Sequence, residues 1–302
     1  MQNKKKVVYT ILFLVCVIAA AMFGTIATVD AVQRKNAQEQ YEQLAAWVNE
    51  ETDSIEEDSI EKSTKEQQSL ESLSTEIEEA VEESNQETET AANEWSEEKY
   101  EKFLKEKEIE IPEKELDWDA LAQVNEDIYA WLYIPDTKID FPVLQSEKEL
   151  DYYLHRNLDL SKGYPACIYS QYLNQKDFTD PNTILYGHNM RNGTMFADLH
   201  KYEDASFFAE HPYIYIYTPE RMYVYEIYAS AVVTNDHLLY AYDFEKEKDY
   251  DRFITTISNV RDMISHTKED MTVTYRQKLL TLSTCVYKKP DYRYIVTGVL
   301  IE

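Results

Sequence analysis

The chain has 302 residues, 44% hydrophobic, 13% aromatic and 29% charged, which allows one or two domains. Its formal charge of −27, from 30 basic and 57 acidic side chains, argues against a nucleic-acid binder, because phosphate contacts need clustered Lys and Arg. Three cysteines are too few for a disulfide scaffold, and five glycines without a G-x-G-x-x-G or G-x-x-x-x-G-K-[ST] run leave no glycine-rich phosphate cradle.

The chain opens with residues 1–6, which end in Lys4-Lys5-Lys6, and residues 7–29 then run 23 positions without a charge. A helix of that length spans roughly 30 Å of hydrocarbon. The basic triplet predicts a transmembrane signal-anchor at 7–29, with the N-terminus in the cytoplasm and the rest of the chain outside. Ala19-Ala20-Ala21 is compatible with the alternative of a cleaved signal peptide, but apolar sequence continues to Val29. Cys16 lies inside the apolar run and reads as membrane-facing filler.

Acid is concentrated in one segment. Between Asn49 and Glu98 there are 19 acidic and 2 basic residues, so the remainder of the chain carries only about −10. Residues 30–94 contain neither Gly nor Pro and are rich in Glu, Ser, Thr and Gln. Such sequence cannot bury enough apolar surface to offset its ordering entropy, and it reads as a disordered spacer. Leu70, Leu73, Ile77 and Val81 sit at helical spacing, which leaves a short helix or weak coiled coil as an alternative there.

Composition changes near Trp95, and residues 95–302 are long enough for one sizeable core. Trp95, Tyr100, Phe103 and Leu104 predict a short helix ended by Pro112, and Asp117 or Asp119 caps a second through Leu121 and Val124. Short strands follow at 130–134, 139–144 (Pro142 marking an edge or bulge), 166–170 and 183–186. Residues 213–218 and 223–233 alternate around Pro219-Glu220 and predict a hairpin. A helix is expected over 250–264, then strands at 271–275, 279–283 and 294–300. Many short strands with a few helices predict a mainly β fold, a barrel with helical additions.

Two cysteines belong to this region. Cys285 ends the apolar run Leu279–Thr284, and a strand end is a rigid place to present a nucleophile. Cys167, between Ala166 and Ile168, reads as a small buried hydrophobe, with a disulfide to Cys285 as the alternative. Among six histidines, His188 stands out: it follows Tyr186-Gly187 at a strand end, and Gly187 permits close backbone approach. The others read as surface residues. Arg293 starts the last strand; if that strand neighbours 279–284, the guanidinium returns beside Cys285 and is placed to stabilise an oxyanion. The plainer reading is an arginine in water. Metal-ligand spacings such as His-Glu-x-x-His or Cys-x-x-Cys are absent, and no cofactor is implied.

Taken together, Tyr186-Gly187-His188-Asn189-Met190, Thr281-Leu282-Ser283-Thr284-Cys285 and Arg293 resemble the sortase signature, in the sortase order His, Cys, Arg. Trp131-Leu132-Tyr133-Ile134-Pro135 with Ile139–Val143 looks like the start of a sortase barrel. The leading helices, the His-Asn-Met run and the helical insert near 245–265 resemble class B. The resemblance implies a closed barrel of about eight strands, with N-terminal helices and a helical insert before the cysteine strand. It implies Cys285 as nucleophile, His188 as general acid and base, and Arg293 as oxyanion partner. By the same resemblance Leu154, Ser283 and Thr284 are substrate-groove residues. The partners implied are secreted proteins with a C-terminal Asn-Pro-x-Thr- or Ser/Pro-Pro-x-Thr-type sorting signal, and an amine of a peptidoglycan cross-bridge or a pilin. Val286 departs from the acidic residue that follows the cysteine in some relatives, and Pro165-Ala166-Cys167 from a common Gly/Ser pattern. A cysteine hydrolase and a non-catalytic tethered surface protein are the competing readings.

Overall fold

A computed structural model describes residues 31–48 and 97–302. Two units are distinguished among them, one of residues 31–42 with 119–301, the other of 43–48 with 97–118 and Glu302. The anchor expected at 7–29 and most of the acidic spacer lie outside the described residues. No helix among the described residues is long and apolar enough to cross a membrane.

The larger unit is built on nine strands: β1 Ile128–Tyr133, β2 Asp140–Leu144, β3 Ile168–Ser170, β4 Asn182–Tyr186, β5 Tyr213–Tyr217, β6 Met222–Thr234, β7 His266–Thr267, β8 Leu279–Val286 and β9 Lys289–Leu300. Their order is β5-β1-β2-β3-β4-β8-β9-β6-β7, and β5 also pairs with β6. Eight strands therefore close on themselves, with β7 an extra strand on β6; closure leaves those eight without a free edge. The barrel is mixed, since β2 with β3 and β4 with β8 run parallel. The central strand β8 is buried from Leu279 to Thr284, which explains its near-continuous apolar run. At Pro142, β2 has a neighbour on one side only, because β3 pairs just with Val143 and Leu144, so the missing N–H costs no ladder bond there.

Helix α1 occupies residues 31–48. That differs from the reading of 30–94 as one solvated spacer. The reason is local: Ala37, Tyr41, Leu44 and Val48 form a buried helical stripe, and the acid-dense run begins only after it. In the larger unit Tyr41 packs edge-on to Phe141, with ring centroids 5.7 Å apart. Helix α3 Trp118–Val124 falls where capping and spacing place it, whereas α2 Glu97–Glu106 ends six residues before Pro112, where Glu108 turns the chain at a φ of 58°. A short helix α4, Ala205–Glu210, is capped by Asp204, whose carboxylate accepts from the amides of Ser206 and Phe207.

The insert before β8 consists of α5 Leu238–Ala241 and α6 Glu247–Ser258. Tyr250, Phe253 and Ile257 of α6 share one buried cluster with Tyr228, Ala229 and Ala231 of β6 and with Ile184, Leu279, Ile295 and Val299, and the helix lies against β6 and β7. Helix α6 stops six residues before the expected 264, with Asn259 as its C-cap. The strand expected at 271–275 does not form; Met271, Val273 and Tyr275 spend their alternating apolar side chains on packing against the insert.

Candidate active site

Strand register brings the candidate residues together. Cys285, next to last in β8, lies directly opposite Arg293 on β9. Side chains of such an antiparallel pair leave the same face, with Cβ atoms about 5 Å apart. On the other side of β8, Tyr186 pairs in parallel with Ser283, and the Gly187 amide donates to the Ser283 carbonyl at 3.2 Å. His188 therefore emerges two residues past the end of β4, level with Cys285. Gly187 is required there: a Cβ would lie 2.5 Å from Ile168 Cδ1 and 2.7 Å from Phe196 Cδ2.

Cys285, His188 and Arg293 line one cleft of about 200 Å³, together with Leu154, Ser283 and Thr284. Cys285 is exposed and free, as is required of a nucleophile, while Ser283 and Thr284 are buried. The Thr284 hydroxyl donates to the Gly187 carbonyl at 2.8 Å, so it ties the His188 loop to β8. Arg293 Nη1 donates to the carbonyls of Pro290 and Tyr292, at 3.0 and 2.9 Å. Those bonds hold the guanidinium at the cleft, so Arg293 is not an arginine loose in water.

The His188 ring is fixed on three sides. Its Nε2–H donates to the Leu154 carbonyl at 2.6 Å, so Leu154 meets the site through its backbone as well as lining the cleft. Tyr164 meets the ring edge-on at 4.9 Å, and His155 stacks at 6.0 Å. Burial holds the imidazole below its ordinary value; the Leu154 bond opposes this, and His155 adds to it. With Nε2 committed, Nδ1 is the nitrogen left for proton transfer.

Three features were not evident from sequence. The cleft holds buried polar atoms with no protein partner: Gln171 Oε1, the Tyr186 hydroxyl and both ring nitrogens of His237. The Asp151 carboxylate at the rim accepts from Tyr169 and Gln171, at 3.0 and 2.8 Å. Asn189 and His200 both reach the Cys285 carbonyl, at 3.0 and 3.1 Å, although His200 looked like an ordinary surface residue. Its i, i+3 spacing from Glu203 was visible, but its contact across 85 residues was not. Cys167 is buried and free, and Cys285 is unpaired, so the alternative disulfide does not form.

Comparison with known proteins agrees with this geometry. Residues 132–301 match the sortase domain family model. A sortase B of Listeria monocytogenes is 38% identical over 184 residues, 60% of this chain and 72% of the relative. The crystal structure of Bacillus anthracis sortase B in complex with AAEK1 is 34% identical, with a TM-score of 0.54 over 61% of this chain and 84% of that one. A Staphylococcus aureus sortase B–substrate complex is 26% identical, with a TM-score of 0.54 over 68% of this chain and 93% of that one.

Proposed function

The chain belongs to the sortase family and is similar to sortase B, and from that premise we propose that it is a cysteine transpeptidase attaching secreted proteins to a surface amine. The observation that carries the reading is the convergence on one cleft of Cys285 near the end of β8, His188 just past β4 and Arg293 within β9.

Each residue has a distinct task. Cys285 gives its thiol proton to His188 Nδ1, Sγ attacks the Thr carbonyl carbon of the sorting signal, and the carbonyl π electrons move onto oxygen. The Arg293 guanidinium stabilises that oxyanion. When the tetrahedral intermediate collapses, the C–N bond breaks, and His188 supplies the leaving amine's proton from Nδ1. A thioester remains on Cys285. The acceptor amine then attacks the thioester, His188 removes its proton, and the Cys285 sulfur leaves and takes that proton back as the thiol.

By the class B resemblance the sorting signal is of the Asn-Pro-x-Thr or Ser/Pro-Pro-x-Thr type, and Leu154, Ser283 and Thr284 line the cleft that would receive it. The amine belongs to a peptidoglycan cross-bridge or a pilin. Residues 7–29 anchor the chain with its N-terminus in the cytoplasm, and the acidic segment spaces the catalytic domain from the outer face of the membrane.

The full chain, mixed with Asn-Pro-x-Thr-, Ser-Pro-x-Thr- and Leu-Pro-x-Thr-type peptides with and without an amine, tests this by mass spectrometry. Amine-capped product from the polar-led peptides is expected. Free acid alone, even with amine present, means a hydrolase; no adduct means a non-catalytic protein.

A further inference from the structure

Carbonyls along a strand alternate between its two edges. The Ser283 carbonyl faces β4 and accepts from the Gly187 amide. The Cys285 carbonyl, two residues on, faces the same edge, but β4 has ended at Tyr186. On the opposite edge the β8–β9 register slips directly after Cys285: Cys285 opposes Arg293, while Val286 opposes Lys289. The nucleophile thus sits where β8 loses regular pairing on both sides, a place where a strand end frays.

Side chains take over where the ladder stops. Asn189 Nδ2 donates to the Cys285 carbonyl at 3.0 Å, and His200 Nε2 lies 3.1 Å from the same oxygen. Asn189 Nδ2 and His200 Nε2 are 2.9 Å apart. His200 Nδ1 meets Glu203 Oε1 at 2.6 Å, and the imidazole stacks on the Tyr294 ring at 4.9 Å and 21°. Tyr294 is buried and opposes Thr284, so the stack rests on the barrel wall beside the site.

The protons can be placed. A neutral imidazole carries one N–H. With it on Nδ1, Glu203 accepts it, and Asn189 uses one amide hydrogen for Nε2 and the other for the Cys285 carbonyl. With the ring protonated, Nε2–H donates directly to the carbonyl and Glu203 keeps its bond. The Cys285 carbonyl has a side-chain donor in either state.

We infer that Asn189, His200 and Glu203 are positioning residues that clamp the main-chain carbonyl of Cys285 and so fix the nucleophile at the broken end of β8. None of the three needs to touch the substrate; they act through the Cys285 backbone. The inference rests on Cys285 being the acyl carrier. Displacing a nucleophile by a fraction of an ångström slows the chemical step more than it weakens substrate binding.

His200→Phe in the full chain keeps a ring on Tyr294 and removes both nitrogens. His200→Gln removes the ring and keeps an amide donor. His200→Phe is expected to lower kcat about tenfold with KM within about twofold, and His200→Gln to stay within about threefold of the unsubstituted chain. Glu203→Leu should follow His200→Phe, and Glu203→Gln, which still accepts from Nδ1, should not; this pair carries the test if His200→Phe fails to fold. Equal rates for the Phe and Gln variants, whether both normal or both impaired, or a rise in KM alone, overturn the clamp. A readout that needs no turnover separates failure of the clamp from failure of the transpeptidase reading. The carbonyl carbon resonance of Cys285, isolated by ¹³C-cysteine and ¹⁵N-valine labelling of the chain carrying Cys16→Ser, which removes the other Cys-Val pair, should move upfield in His200→Phe and hold in His200→Gln; an unchanged resonance in both contradicts the inference.

Discussion

Cys285 and Cys167 stand in the same barrel, one at the end of β8 and the other at the entrance to β3, and their surroundings oppose each other. Cys285 is exposed in a cleft, faces a guanidinium across a strand pair, and has its carbonyl held by two side chains. Cys167 is buried; its thiol donates to the Arg156 carbonyl at 3.2 Å, and Tyr41 Oη lies 3.1 Å from the sulfur. Burial pushes that thiol up to about 12, the Tyr41 bond opposes the shift, and Asp159 adds to it. The difference teaches that reactivity follows what neighbouring elements bring to a thiol. One site receives a histidine loop and an arginine strand. The other receives the tyrosine of a helix and becomes a packing unit.

The largest test of that contrast is deletion. Cys285→Ala should abolish transfer, by more than about a thousandfold, without changing the melting temperature beyond a degree or so. Cys167→Ala should leave transfer within about twofold and cost about 1 kcal/mol in urea unfolding. Retained turnover in the first, or lost turnover in the second, reverses the assignment.

Next comes Arg293→Lys. An ammonium lacks the planar fork that both bonds the Pro290 and Tyr292 carbonyls and faces the oxyanion, so kcat should fall about a hundredfold in steady-state assays. Near-normal kcat would leave Arg293 a structural residue. A third test is thiol labelling: iodoacetamide should modify Cys285 in the native chain and Cys167 only on unfolding. Tyr41→Phe should cost about 1 kcal/mol, because the single Tyr41 hydroxyl hydrogen is shared between the Ala166 carbonyl at 2.8 Å and the Cys167 sulfur at 3.1 Å. Equal native labelling of both cysteines would erase the distinction.

The smallest expected effect is on pH-dependent stability. His188 is held below its ordinary value of 6.5 when folded, so the unfolded chain binds more protons at low pH. Stability is therefore undiminished above pH 6.5 and falls as pH drops through 6.5 toward the folded value. Melting temperature measured from pH 8 to pH 5 should fall less steeply in His188→Asn than in the unsubstituted chain. Parallel curves would remove His188 as the source.

Strands β1, β4 and β8 were legible as short, nearly continuous apolar runs, and the β5–β6 hairpin by its alternation around Pro219-Glu220. The site was legible in part, because His188 and Cys285 lie beside strand ends that sequence can mark, whereas Arg293, expected to start the last strand, is the fifth residue of β9, which begins at Lys289. What escaped depends on closure of the barrel. The bond from His200 to the Cys285 carbonyl joins residues 85 apart. The strand expected at 271–275 failed because alternation reports burial of one face, and the insert supplies such a face without a ladder. Helix α1 was hidden by averaging, since the acid-dense run that begins at Asn49 outweighs the balanced charges of residues 31–48.

The most direct test of Cys285 as acyl carrier is a trapping experiment. The full chain is incubated with an Asn-Pro-x-Thr-type peptide, quenched in acid, digested and mapped by mass spectrometry. The account predicts a Thr-terminated acyl group on the fragment containing Cys285 and none on the fragment containing Cys167, with loss of the adduct when amine is added before the quench. An adduct on Cys167, or transfer to amine with Cys285 unmodified and replaceable by alanine, would contradict it.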